Sequence, residues 1–280
     1  MATTWHKRGA DPAELKALHS GVPSWMRRKV LDWAHAISLS RVYDDWGRLN
    51  PDVSVMEEYE TAIRRPSSLV GLFRRDGARG IYEAMGEEEF LDFLDFLVYR
   101  AGLEEGSEEL LQMLEEVLNE GGSEWRVGMR EGFASLEKRV PEGVAIAAEA
   151  AISNSGDAGG LLAEAWHSVF GRSPDFEDAY EKAIKAVEEA GAHIVTPNNK
   201  KATLGTMVRD MNAQKDWKLD LPASDADVPV KMAEALWVGQ ESRHGGNGYR
   251  KPTQAEAEAA VLLAVPLVQW FCSGALARRP

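Results

Sequence analysis

Apolar side chains recur three and four positions apart along most of this chain, the spacing of one face of an α-helix. From Trp25 to Leu39, Met26, Val30, Trp33 and Ile37 follow this spacing, so an amphipathic helix is expected there, with Ser24 as its N-cap after Pro23. Glu87–Tyr99 and Glu108–Leu118 repeat the pattern on either side of a break at Gly102–Gly106. Each opens with the carboxylates that a helix N-terminus favours. The pattern changes between Glu124 and Val140. There Trp125 and Val127 alternate with polar residues and a glycine-containing turn precedes Phe133, which predicts a small β-hairpin. Pro141 then opens an alanine-rich helix that ends in the polar, glycine-rich run Asn154–Gly160.

Helical spacing returns beyond that run. Leu161–Phe170 is followed by Asp175–Ala190, which sets Phe176, Tyr180, Ile184 and Val187 on one face. Ser173 and Pro174 stand ahead of it as cap and first-turn proline, and Gly191 is its expected stop. Ala202–Gln214 aligns Leu204, Met207, Val208 and Met211, and Pro229–Gln240 aligns Met232, Ala233, Leu236 and Trp237. The final helix begins at Thr253, whose hydroxyl and the Glu256 side chain suit a capping box, and runs to about Cys272. Its nearly unbroken apolar stretch from Ala259 to Phe271 predicts a helix surrounded by others, bent at Pro266. The chain therefore reads as mainly α, in two helical domains divided at the Asn154–Gly160 run: an acidic one over residues 1–158 and a helix bundle over 159–280.

Composition fits a folded protein, with 44% apolar and 28% charged residues in 280, and excludes collagen-like and wholly disordered chains. The net charge of −13 argues against indiscriminate polyanion binding. Its distribution is uneven: residues 1–158 hold 18 basic and 29 acidic groups, and 159–280 hold 14 and 16. A nucleic-acid contact therefore belongs in the second half. Cys272 is the sole cysteine, so neither an intrachain disulfide nor a thiolate metal site is expected, and a cytoplasmic location is. The first residues contain no apolar signal core, and the longest apolar run, Ala259–Val268, is half the roughly 20 residues of a membrane span. A soluble chain with no membrane partner is the expectation.

No phosphate-binding Gly-Lys loop, zinc-protease motif, paired C-x-x-C or nucleophile elbow is present, and six dispersed histidines suggest neither metal nor cofactor. Unusual chemistry concentrates in Gln240–Lys251, QESRHGGNGYRK. Gly245, Gly246 and Gly248 allow close backbone approach, while Arg243, Arg250 and Lys251 place cations around His244. Such a set suits a phosphodiester. His244 can exchange a proton with a ribose hydroxyl or leaving oxygen, Arg243 can hold charge developing on phosphorus, and Arg250, Lys251, Gly245 and Gly246 can bind substrate. The competing interpretation is a basic interhelix loop with an exposed histidine. Lys200 and Lys201 could add charge near a phosphate at the next helix N-terminus. Glu57, Glu58 and Glu60 are expected to pair with Arg64 and Arg65 on a helix surface.

The order AYEKAIKAVEEAG (Ala179–Gly191), KATLGTMVRDM (Lys201–Met211), ALWVGQESRHGG and an alanine-rich last helix resembles the C-terminal domain of bacterial abortive-infection proteins. That domain, Abi-C, belongs to the all-helical HEPN superfamily, and the resemblance spans roughly residues 160–276. GVPSWMRRKVLDWA (Gly21–Ala34) more loosely resembles regions joined to such domains in phage-defence proteins. The resemblance implies metal-independent RNA cleavage in an abortive-infection or toxin-antitoxin response. It also implies a homodimer that gathers Arg and His from two protomers, and an antitoxin or phage-derived trigger. HEPN nucleases place their Arg shortly before the His, which here falls among Trp237, Val238 and Gly239, none of them basic. An inactive HEPN-like module for interaction or sensing is the alternative.

Overall fold

The computed structural model describes residues 17–43, 45–130, 132–214, 216–222, 227–239 and 250–279. The chain divides into two compact units, Met1–Arg139 and Val140–Pro280, each with its own apolar core. Ten α-helices and three two-stranded antiparallel sheets are found among the described residues, so the fold is mainly α.

In the first unit, α1 (Ser24–Ile37) leads into the pair β1 (Leu39–Tyr43) and β2 (Leu49–Pro51), followed by α2 (Val53–Ala62) and α3 (Leu69–Gly102). The cap of α1 differs from expectation. Pro23 occupies the N-cap and Ser24 is already helical, so the Pro23 carbonyl, accepting from Met26 and Arg27, replaces a side-chain cap. Met26, Val30 and Trp33 are buried as their spacing requires, and Trp33 Nε1 donates to the Leu110 carbonyl at 2.7 Å. The helix α3 is three successive segments, kinked at Gly77 (φ 62°, ψ −155°) and Gly86 (φ 76°, ψ −177°). The helix expected from Glu87 is its last segment.

The helix α4 (Glu108–Glu120) precedes the predicted hairpin, formed by β3 (Trp125–Arg130) and β4 (Phe133–Lys138), with Trp125 opposite Lys138 and Arg130 opposite Phe133. Carboxylates of the neighbouring helices accept from its backbone: Asp95 from Leu136 N–H at 2.6 Å and Glu115 from Val127 N–H at 2.9 Å. The hairpin thereby satisfies amide groups that a two-stranded sheet would otherwise leave unpaired. Glu58 and Arg65 do not pair within their own segment as the sequence suggested. Glu58 meets Arg100 at 3.4 Å, and Arg65 meets Glu89 at 2.8 Å, tying α2 and its C-terminal turn to α3.

The second unit begins with α5 (Glu142–Asn154) and α6 (Gly156–Phe170). The glycine-rich run expected to separate domains lies inside this unit, so the division falls at 139/140 rather than 158/159. Ser155 ends one helix and caps the next, and a Cβ on Gly159 would lie 2.0 Å from the Ile152 carbonyl oxygen. The glycines therefore make a tight turn between packed helices. Ala148 and Ala151 of α5 belong to the same core as Leu162, Trp166 and Phe170 of α6.

Next comes α7 (Phe176–Val195), capped by Asp175, whose carboxylate accepts from the N–H groups of Glu177 and Asp178, both at 3.1 Å. It does not stop at Gly191. A Cβ there would meet Met207 at 2.5 Å and the Phe271 ring at 2.9 Å, so this glycine allows close approach of neighbouring helices. Then follow α8 (Leu204–Gln214), β5 (Trp217–Leu219), α9 (Asp227–Val238), α10 (Gln254–Ser273) and β6 (Leu276–Arg278), with β5 and β6 paired. By length and composition α10 could cross a membrane, with mean hydropathy 1.4 over 18 residues. Ala257, Val261, Ala264, Val268 and Phe271 are nonetheless core residues, packed with α6 and α7. Ala259, Leu262 and Gln269 are exposed, so α10 keeps an open edge where full enclosure was expected.

Candidate functional site

The segment carrying the predicted chemistry connects α9 to α10. Arg243, His244, Gly245 and Gly246 lie outside the described residues; Arg250 and Lys251 lie within them. The ends of the segment can be built from their neighbours.

On the α9 side, Trp237 packs over Gly205 of α8, where a Cβ would lie 2.5 Å from the indole. Gly205 thus accounts for the glycine of the T-L-G sequence: its bare surface receives an aromatic ring. Gly239 lies against Tyr180 of α7, whose hydroxyl donates to the Leu236 carbonyl at 3.2 Å. Trp237 and Gly239 therefore have packing roles, and Val238 between them is exposed.

On the α10 side, Arg250 donates to both carboxylate oxygens of Glu256, at 2.7 and 2.6 Å. Glu256 also accepts from Thr253 N–H at 2.8 Å, and Thr253 Oγ1 accepts from Glu256 N–H at 3.3 Å, completing the predicted capping box. The Arg250 guanidinium, and then the Thr253 backbone and hydroxyl, hold the Glu256 carboxyl down at about 2. The fork-to-fork geometry fixes Arg250 at the entrance to α10. Lys251 lies 3.8 Å from Glu177 in the first turn of α7.

A second feature of this unit is a cavity of about 640 Å³ beside the start of α8, lined by Lys185, Glu188, Glu189, His193, Thr196 and Lys200 among others. The phosphate envisaged at this helix N-terminus meets a built-in competitor. Glu188 accepts from Leu204 N–H at 2.6 Å, so a carboxylate already occupies the position. His193 is a residue of α7 rather than of a following loop, because the helix runs on through Gly191. Among the described residues no three His, Cys, Asp or Glu side chains converge as a metal site would require.

No family model, curated protein or solved structure matches this chain.

Proposed function

We propose that the second unit is an RNA-cleaving effector of the abortive-infection type, acting without a metal through the segment between α9 and α10. His244 removes the proton from a ribose 2′-hydroxyl, whose oxygen attacks phosphorus as the bond to the 5′-oxygen breaks. The leaving oxygen takes a proton, and the products are a 2′,3′-cyclic phosphate and a 5′-hydroxyl. Arg243 offsets the charge gathering on the non-bridging oxygens, Gly245 and Gly246 admit the backbone, and Lys251 adds charge at the rim. Arg250 acts from its place on Glu256, as an anchor of the segment more than a free ligand. The observation that carries this reading is the concentration of Arg, His and Gly in one connection bracketed by α9 and α10 of a mainly helical unit, in the helix order of the HEPN-like resemblance.

Purified protein incubated with total RNA in EDTA is expected to cut it, leaving cyclic phosphate ends, and His244→Ala is expected to lose the cleavage. Cleavage that persists in that variant removes His244 from the mechanism.

The packing of Trp237 and Gly239 favours a second reading, an inactive module that binds RNA or a phage-derived trigger. In that case inducing the protein leaves growth unchanged, and His244→Ala leaves partner binding intact.

A further inference from the structure

A cavity of about 780 Å³ opens in the first unit between α1 and the Gly77 break of α3. Arg27, Arg28, His35, Arg79 and Tyr82 line it, together with Asp32, Asp76 and Glu83. The charges cancel on a count, but their pairing is unequal. Arg28 meets Asp32 at 3.8 Å, with side chains 92% and 73% exposed, and Arg79 meets Glu83 at 2.8 Å, with 77% and 58% exposed. Asp76 is taken by Arg75 at 2.6 Å. Exposed pairs of this kind are weak and exchange readily for a better anion.

Arg27 is different. It has no carboxylate partner among the described residues: its guanidinium carbon lies 4.9 Å over the Tyr82 ring, and Nη2 donates to the Val22 carbonyl at 3.3 Å. Its Nε is enclosed and without an acceptor. A partly buried cation held by a ring and one long hydrogen bond, with no carboxylate among the described residues to neutralise it, remains electrostatically unsatisfied at the cavity wall.

On the α3 side, the backbone packs closely against His35 of α1. Gly77 has φ 62°, and a Cβ on it would lie 2.8 Å from His35 Nδ1, so only glycine lets the backbone come this near. The His35 ring is held by stacking on Phe73, with centroids 4.8 Å apart and planes 15° from parallel.

We propose that this cavity binds a phosphomonoester of nucleotide size, its phosphate held by Arg27 and by Arg28 and Arg79 recruited from their exposed partners. Guanidinium groups suit that oxyanion through parallel N–H donors, and the volume falls within the range of small-molecule sites, well beyond what a bare phosphate fills. The site lies in the first unit and stands apart from the RNA reading of the second, so either can fail alone.

Isothermal titration of the whole protein at low salt with AMP, and in parallel with inorganic phosphate, tests it. One AMP per chain is expected, with weaker binding of phosphate. Arg27→Gln and the double variant Arg28→Ala/Arg79→Ala should each weaken AMP by about tenfold or more. The double variant changes exposed side chains only, so it decides the matter if Arg27→Gln fails to fold. Lys200→Ala, in the other unit, should leave the affinity unchanged. Absence of saturable binding by either probe, an AMP affinity indifferent to these arginines, or phosphate bound as tightly as AMP would overturn the proposal.

Discussion

Glu256 serves Arg250 and Thr253 with one carboxylate, and both partners favour its charged form. Its pKa falls from the ordinary 4.5 to about 2, chiefly because it accepts from Arg250 and then from Thr253. The charged form is the one that caps. Its contribution to α10 is therefore complete above the unfolded pKa near 4.5 and is lost as pH falls through about 2. Carboxyl-detected NMR should place the Glu256 midpoint near 2 and move it towards 4.5 in Arg250→Ala; an ordinary midpoint in the unaltered protein would mean the clamp does not hold in solution. At this scale the capping box was legible because Thr253 and Glu256 stand three apart. The Arg250 clamp was not, since a cation six residues before a glutamate has no periodic reason to meet it. The arginine cavity of the first unit was illegible for a stronger reason: Arg27 and Arg79 are some fifty residues apart and meet only through the fold.

Elements with several turns declared themselves, as α1 and α7 did, because their buried residues repeat at the helical period. The hairpin was legible from its turn and the Trp125/Val127 alternation, although four successive residues of β4 are buried. Three-residue strands such as β5 and β6 are too short to show a period. Glycine misled most, since one residue type ends helices, breaks them and allows them to touch. Gly191 shows the difference. Alanine in a helix interior is ordinarily worth about 1 kcal/mol over glycine, but here its methyl would press on Met207 and the Phe271 ring. Met207 can turn aside more easily than the ring, so Gly191→Ala should destabilise the unit by about 1–2 kcal/mol net in urea unfolding, the overpacking cost exceeding the propensity gain. A stabilised variant would mean that Met207 and Phe271 give way and the helix-interior gain exceeds the cost of the contact.

For the whole molecule, the position of the division changes the electrostatic picture. Cut at 139/140, the first unit carries 18 basic and 26 acidic groups and the second 14 and 19, balances of −8 and −5. The second unit is thus less neutral than a division at 158/159 implied, and an RNA contact there rests on local cations rather than on a basic face. Fragments test the division. Residues 140–280 should unfold cooperatively, whereas 159–280 lacks α5 and the buried Ala145, Ala148 and Ala151, and should be less stable by about 3 kcal/mol or more. Equal stability of the two fragments would restore the later boundary. The breaks in α3 have a consequence for size. An unbroken helix of its 34 residues would be a rod about 50 Å long, while a unit of 139 residues spans roughly 35–40 Å. Gly77 and Gly86 divide that rod into lengths a small core can cover, so two residues without side chains decide whether a segment this long is an inner wall or a protruding spike.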